Sequence, residues 1–532
     1  MGQHDLKQAQ GARKPQGFLG RLRADARGNT LAIAAASIIP ITGAIGAGVD
    51  MSRAYTTRTR MQQACDAGVL AVRRNISGNT IDAASRTIGT QFYNVNFPPS
   101  TFGATTTSAF AVSSVPSTNA VSGTATVTLP YTLVTVLGFT SQPITVTCQA
   151  SQDYVNTDIV LVLDNTGSMK CAPSAAATAQ CSSEVFSNGA NSSKMQGQRD
   201  AVMALYAALT TAQTQLEAKG LRLRYGIVPY SGTVNVGKLL YGTGNSLSAI
   251  RTTSPYRQVS QTCTGSGWSQ VCATTNLSVP TIHSQSWLDN WASASQPSLG
   301  CIEERQSDNS ITASTTSIPS GAWDLNLDMM PTPSSVGTQW PPYDTNAEVG
   351  ESQTACPTPA KGLQAFTQAQ MQTYVNSLVG DGGTYSDIGM IWGGRFISDA
   401  GVFAWSPNNF NGFPVKKYII LMTDGYIDTG ATYYSAWGQE QYDHRASANP
   451  YPGDDTDAAN HQTRFSLACS AAKSKGASIW VIGFGQSITT LDSTLTNCAS
   501  SSDQTAVATT SAALITKFTS IGNQIGSLRV VG

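Results

Sequence analysis

The stretch IVLVLDNTGSMK, residues Ile159 to Lys170, joins two textures that rarely meet. Five consecutive apolar residues read as a strand buried on both faces, the habit of a parallel sheet. They run directly into Asp164, Thr166 and Ser168, three oxygen-bearing side chains on alternate positions. In open parallel sheets, ligands bind beyond the carboxyl ends of the strands. The stretch therefore predicts both a sheet and a place on it where a ligand would sit.

Outward from this strand (157–163) the pattern alternates. A helix is expected near 194–219, with Val202, Leu205, Tyr206 and Leu209 on one face. Strand YGIVPY (225–230), a helix near 366–379 and a helix from Ser386 follow. Then come strand YIILM (418–422), a helix near 457–475 and strand SIWVIGF (478–484). A last helix near 511–528 carries Leu514, Phe518, Ile521, Ile525 and Leu528 on one stripe. Continuous apolar strands between amphipathic helices predict an α/β domain, a doubly wound, mostly parallel sheet, over 154–240 and 366–532. Residues 241–365 break the rhythm. They are rich in Ser, Thr, Gly and Pro and hold four cysteines and five of the nine tryptophans. A structureless loop of that length is improbable, so the segment reads as an insertion with its own small core. If TVNVG returns as an antiparallel hairpin edge after YGIVPY, the insertion is rooted at the face away from the strand-end ligands.

Charged residues are 12% of the chain, about half the ordinary share of roughly 25%. The 32 basic and 32 acidic residues cancel. No basic excess points to nucleic acid, and no P-loop offers a nucleotide site. The four histidines form no zinc or hydrolase motif. Ten scattered cysteines, none in a C-x-x-C pair, read as disulfides in an oxidising compartment. The simplest local pairings are Cys171 with Cys181, Cys263 with Cys272 and Cys301 with Cys356. Cys148 lies on an apolar strand face, where a small buried thiol and a disulfide fit equally.

Leu31 to Val49 is 19 residues without a charge. As a helix it would be about 28 Å long, against a hydrocarbon core of roughly 30 Å. Lys7, Arg13, Lys14, Arg21, Arg23 and Arg27 precede it, which favours a cytoplasmic N-terminus, though Arg53, Arg58 and Arg60 lie beyond it. The expected order is a cytoplasmic segment (1–28), a transmembrane helix (29–50) and a juxtamembrane helix (51–79), with the rest outside the cytoplasm. Small residues at Ala44 and Gly46 would suit a cleaved signal peptide instead. The helical texture continuing through MSRAYTTRTRMQQACDAG favours one long uncleaved helix. Residues 80–153 alternate as strands do: Ala125, Val127 and Leu129 between threonines, then Ile144, Val146 and Cys148. They predict a small β-rich unit.

Two further loops join the opening stretch. GDGGTYSD places Thr384 ahead of a helix, and YIILMTDG ends a second buried strand with Asp424. Asp164, Thr166, Ser168, Thr384 and Asp424 are oxygen donors without His or Cys. That chemistry selects a hard divalent cation, Mg²⁺ first, with Mn²⁺ or Ca²⁺ as alternatives. The bland reading of DNTGS is a turn whose Asp or Ser caps the next helix. GDDTDAAN (453–460) is likewise read as a helix cap before a calcium loop.

This set resembles the metal-ion-dependent adhesion site (MIDAS) of von Willebrand factor A domains, whose pattern is Asp-x-Ser-x-Ser with a later Thr and Asp. Thr166 departs from the commonest form but keeps the hydroxyl. The resemblance implies that Thr166, Ser168 and Thr384 touch the ion, that Asp164 and Asp424 act through waters, and that a partner's carboxylate completes the shell. It also implies the family's Rossmann-like sheet. Both ends resemble TadE/TadG-like proteins of the tight-adherence (Flp) pilus system: GNTLAIAAASIIPITGAIGAGVDMSRAYTTRTRMQQACDAG at the start, then YGIVPYSGTVNVG, GGTYSDIGMIWGGRFIS, KKYIILMTDG and VIGFG. That resemblance implies a Cys469–Cys498 disulfide and a bacterial inner-membrane anchor with the bulk of the chain in the periplasm or at the surface. Prepilin cleavage usually needs a glutamate five residues past the cut. Counting from Gly28, Ile33 stands there, so the anchor is expected to stay uncut. The implied function is non-enzymatic, a membrane-anchored pilus-assembly or adhesion protein that binds protein partners through the cation. The alternatives are a structural pilin-like component with a passive A domain and, behind it, a metal-dependent hydrolase.

Overall fold

The computed structural model describes residues 26–531 except 77–79, 116–119, 153–154, 177–178, 186–191, 243–248, 266–270, 294–298, 345–354, 426, 450–452 and 527–529. The basic residues expected to hold the N-terminus in the cytoplasm lie outside it, save Arg27. The chain divides into two units, Met1–Asp153 with Arg529–Gly532, and Tyr154–Leu528.

The first unit begins with a single 50-residue helix, α1 (Ala26–Asn75), that runs through Pro40. Its first half exposes Ile33, Ile38, Ile39, Ile41 and Ile45. Its second half buries Ala54, Met61, Ala64, Cys65, Val69 and Val72, the spacing of one helical stripe. That stripe lies on an antiparallel sheet of β1 (Thr105–Val115), β2 (Ala120–Pro130) and β3 (Ser141–Gln152). Helix α2 (Ala83–Asn96) packs beside α1, its N-terminus capped by Asp82. The alternation expected in β2 and β3 is realised: Ala125 stands opposite Val146 and Val127 opposite Ile144, all buried. Cys148 is disulfide-bonded to Cys65 on α1, a pairing across 83 residues. The strand Val530–Val531 returns from the far end of the chain to pair with β3.

The second unit is built on β4 (Asn156–Asp164), β5 (Leu223–Tyr230), β10 (Phe413–Thr423), β13 (Ala477–Phe484) and β14 (Thr505–Ala508), in the order β14-β13-β10-β4-β5 and parallel throughout. Beyond β5 lies β8 (Lys361–Gln364), and β9 (Asn409–Phe410) pairs with β10; both are antiparallel, so the sheet is mixed. Central strand β4 is buried along its whole length. Ile159, Leu161 and Leu163 face one core with helices α3 (Lys194–Glu217), α4 (Gln368–Asn376) and α7 (Ser511–Gly526). Val160 and Val162 face another with α5 (Ser386–Ile397) and α6 (Asp454–Ser474). Alternate residues of one strand thus serve two hydrophobic layers. The end of the last stripe, Leu528, lies outside the described residues. Helix α6 is capped by Gly453 without a side-chain bond; Asp457 is buried within the helix.

The insertion departs from expectation twice. Among its described residues the main apolar side chains do not form a core of their own: Ile250, Trp291, Ile302, Leu325 and Trp340 merge with α5 and α6 into one cluster, while Cys301, Tyr343 and Cys356 form a small separate one with Tyr434. Nor is it rooted away from the strand ends. After β5 the chain turns at once, with a single antiparallel bridge from Tyr230 to Val234. The insertion comes back through β8, where Lys361 lies opposite Ile227 and Gln364 opposite Tyr225. Both of its roots therefore lie at the carboxyl end of β5. The antiparallel edge is supplied by KGLQ at the end of the insertion, not by TVNVG at its start. Within it, β6 (Thr253–Thr264) and β7 (Val271–Ile282) form a hairpin, and β11 (Tyr434–Ser435) with β12 (Gly438–Gln439) a smaller one after β10. Disulfides join Cys301 to Cys356, Cys171 to Cys181 and Cys469 to Cys498. Cys263, also disulfide-bonded, stands opposite Cys272 in the hairpin.

Candidate metal centre

Parallel pairing places Leu163 of β4 opposite Met422 of β10, so Asp164 and Asp424 emerge at the same end of neighbouring strands. Asp164 Oδ1 accepts the Thr166 N–H at 3.0 Å and the Thr166 hydroxyl at 2.7 Å. Its Oδ2 accepts the Thr423 hydroxyl at 3.0 Å. The Thr166 and Ser168 hydroxyls are 3.0 Å apart. The DNTGS turn is thus real, and the same residues gather three oxygens at a strand end.

The glycine-rich loop is stitched onto this turn through backbone bonds. Gly167 N–H donates to Gly382 O at 2.9 Å, and Asp381 N–H to Asn165 O at 2.8 Å. Thr384 N–H donates to Asp428 O at 2.8 Å, which ties in the loop after β10. Gly382 has φ 79° and its Cβ would strike Ala355 of the insertion, so this crossing needs glycine twice over. Asp164, Thr166, Ser168, Thr384 and Asp424 are each 2% exposed or less.

Burial raises the Asp164 carboxyl above its ordinary range, and the nearby Asp424 charge raises it further, against the bonds from Thr166 and Thr423. One cation already stands in the site. Lys194, at the start of α3, donates its Nζ to Asp424 Oδ2 at 2.8 Å, with both side chains 1% exposed. With both carboxyls ionised, the single ammonium would leave one negative charge uncompensated, and Asp424 Oδ1 is buried without a protein partner. That charge balance, the orphaned oxygen and the clustered hydroxyls fit a hard cation. Among the described residues no three His, Cys, Asp or Glu side chains cluster as a metal site; the oxygens brought together are those of Asp164, Thr166 and Ser168, with Asp424 beside them, and Thr384 joins through its backbone N–H.

Sequence reading missed Lys194, Thr423, Tyr230 and Gln180. Tyr230 OH lies 3.5 Å from Asp164 Oδ2. Gln180, in the loop closed by Cys171–Cys181, lies over Gly167 and donates to Asp428 Oδ2 at 3.1 Å. Only Thr423 carried a signal, as a hydroxyl next to the Asp of TDG.

Residues 28–75 match the family described as Flp pilus-assembly TadE/G-like. The match runs along α1 nearly end to end and stops well before Asp164. No curated protein matches the chain. Among solved structures it is similar to the pilus adhesin SpaC from Lactobacillus rhamnosus GG, with 12% identity and TM-score 0.30, covering 78% of this chain and 34% of that one. This chain therefore spans about a third of SpaC's length. It is similar to the PilB minor pilin from Streptococcus sanguinis, with 12% identity and TM-score 0.31, covering 81% and 80%. It is also similar to the vWF domain of the type V pili tip protein Mfa5 from Porphyromonas gingivalis, with 12% identity and TM-score 0.30, covering 71% and 98%. At such scores the likenesses bear no weight. The architecture rests on the strand order, and the TadE/G-like match is confined to residues 28–75.

The stitching of the three loops is open to a direct test. A methyl at Gly383 would stand 2.6 Å from Asp428 O, the acceptor that holds Thr384. The obstacle is backbone and does not yield easily. Gly383→Ala is expected to destabilise the fold by about 1–3 kcal/mol, read as a lower urea midpoint. An unchanged midpoint would mean that the loops are not held this closely.

Proposed function

We propose that this is a membrane-anchored pilus-assembly or adhesion protein whose second unit is a von Willebrand factor A-type domain. In this reading residues 29–50 cross the bacterial inner membrane, residues 1–28 face the cytoplasm, and the bulk of the chain lies in the periplasm or at the surface. Support for the anchor comes from the TadE/G-like match and from α1, the one described helix long and apolar enough to cross a membrane. Support for the A-type domain comes from five parallel strands with helices on both faces and candidate ligands at the carboxyl ends of β4 and β10.

The observation that carries the functional reading is the convergence of three loops at a buried cluster of carboxyl and hydroxyl oxygens with one carboxylate oxygen unpartnered. Thr166, Ser168 and Thr384 would hold a divalent cation through their hydroxyls, with Asp164 and Asp424 supplying charge. When bound, the ion supplies a positive centre that attracts a partner's carboxylate. The chain's own work is positional: Asp164 fixes the Thr166 hydroxyl, the Gly382 and Asp428 carbonyls fix the loops, and Lys194 offsets part of the Asp424 charge.

The test is capture by the full chain in detergent of partners from an envelope extract, with Mg²⁺ or with EDTA. Capture in Mg²⁺ that disappears in EDTA and returns when Mg²⁺ is restored supports the reading. Capture indifferent to EDTA would move the function to a passive, pilin-like role.

A further inference from the structure

The loop between β2 and β3, YTLVTVLGFT (131–140), carries no charge. Leu133, Leu137 and Phe139 are 48%, 49% and 61% exposed. Three large apolar side chains displayed on one short loop mark a contact surface.

A carboxylate on α1 clamps the loop, with Arg53 bonding to Pro130 O and the Thr132 hydroxyl beside it. Asp50 on α1 is 2% exposed and accepts the backbone N–H groups of Thr132, Leu133 and Val134 at 3.0, 2.9 and 2.9 Å, and the Thr132 hydroxyl at 2.9 Å. This clamp lays the loop against the part of α1 that precedes Asp50. A methyl at Gly46 would meet Leu133 Cβ at 3.0 Å, and one at Gly43 would meet Leu137 Cδ1 at 3.3 Å. A crevice of about 310 Å³ separates the two leucines from the helix face around Ile39.

Depth then follows from helix geometry. Asp50 is the first charge after the apolar run, so it marks the edge of the hydrocarbon. Gly43 is seven residues earlier, about 10 Å deeper along the axis. Leu137, which packs at Gly43, is carried to that depth. Non-helical backbone is tolerated there only when its polar groups are satisfied within the protein. Here three amides bond to Asp50, Gly138 N–H bonds to Thr135 O at 3.0 Å, and Tyr131 N–H to Thr140 O at 3.1 Å.

We infer that Leu133–Phe139 is a second, non-spanning membrane contact that enters the acyl chains of the leaflet on the folded side and is pinned beside α1 by Asp50. The inference rests on the reading of α1 as a membrane span. The occupant is lipid because the loop continues the lipid-facing surface of α1 at acyl-chain depth. A helix with such a wedge is held at a fixed depth and resists sliding along the membrane normal.

The test uses the full chain in phosphatidylethanolamine–phosphatidylglycerol vesicles. Nitroxide labels go on Ile38→Cys, Leu137→Cys and, as an aqueous reference on β3, Thr147→Cys. No free cysteine competes among the described residues. Each label is read for collision with oxygen, which concentrates in lipid, and with a water-soluble nickel chelate. Expected is strong oxygen and weak nickel access at 38 and 137, and the reverse at 147. Lipid-like access at 38 with water-like access at 137 overturns the loop insertion and leaves the span standing. Water-like access at both overturns the span, and the wedge with it. A label at 137 shielded from both reagents means that protein covers the loop, which also overturns the inference.

Discussion

Glu304→Gln is expected to cost the second unit about 3–5 kcal/mol, the usual loss when one member of a buried ion pair is removed. Glu304 belongs to the insertion and is fully buried. It accepts Arg395 Nη1 and Nη2 of α5 at 2.6 and 3.0 Å, Trp392 Nε1 at 2.7 Å and Trp340 Nε1 at 3.2 Å. The Arg395 guanidinium also lies over both indole rings. Glutamine keeps the shape but turns an NH₂ toward donors and leaves the guanidinium without a counter-charge. Burial by itself would raise the Glu304 carboxyl. Arg395, its hydrogen bonds, Arg305 and Trp392 outweigh that and hold the acid below its ordinary 4.5. A depressed acid stabilises the fold fully above the ordinary value and loses that contribution as the pH falls through the lowered one. The Gln variant should therefore differ most from the parent near neutrality and converge with it in acid. Urea midpoints followed by tryptophan emission, taken at pH 7 and at steps downward through the acid range below 4.5, check both statements. A loss below about 1 kcal/mol would place this contact among ordinary surface pairs and would mean that the insertion does not dock on α5 through Glu304.

That contact also marks where the sequence stopped being readable. The parallel strands were legible because each is a run of apolar residues too short for a helix and bounded by turn residues. Ile159–Leu163 is buried on both sides, and β10 and β13 follow the same rule. The final helix was legible through its period, with Leu514, Phe518 and Ile521 buried. Pairings between distant segments leave no local period. Nothing in KGLQ announces the antiparallel edge, and nothing near Cys65 points to Cys148. The placement of the insertion failed for the same reason. Its many tryptophans suit the expected small core, and Trp291 and Trp340 are fully buried, but the core they join belongs to α5 and α6, far away in sequence.

The candidate site divides along the same line. Residues that follow a buried strand directly, Asp164 and Asp424, were visible as strand ends. Thr166 and Ser168 were visible as their alternate neighbours. Lys194 was not, since a lysine at a helix start ordinarily reads as solvated. Only the fold carries its ammonium to Asp424 across 230 residues.

Asp164→Asn separates a metal ligand set from a mere turn, because the two roles predict different outcomes. Asparagine retains an oxygen for the Thr166 N–H and hydroxyl, and Asn serves such turns as well as Asp. If the residue only shapes the turn, the variant folds like the parent and its response to Mg²⁺ is unchanged. If its charge helps to hold a cation, Mg²⁺ affinity falls about 10–100-fold, the range for a carboxylate acting behind the first ligands. The metal-free protein should meanwhile be no less stable. Burial and the Asp424 charge both oppose ionisation of Asp164, so a neutral group relieves the unliganded site. Stability and affinity then move apart. Thermal unfolding with and without Mg²⁺ reads both at once: at a hundredfold excess over the dissociation constant, ligand binding adds about 2.7 kcal/mol to the parent, and only about 0.4–1.4 kcal/mol of that increment should remain in the variant. Equal increments in the two proteins would remove Asp164 from any cation site.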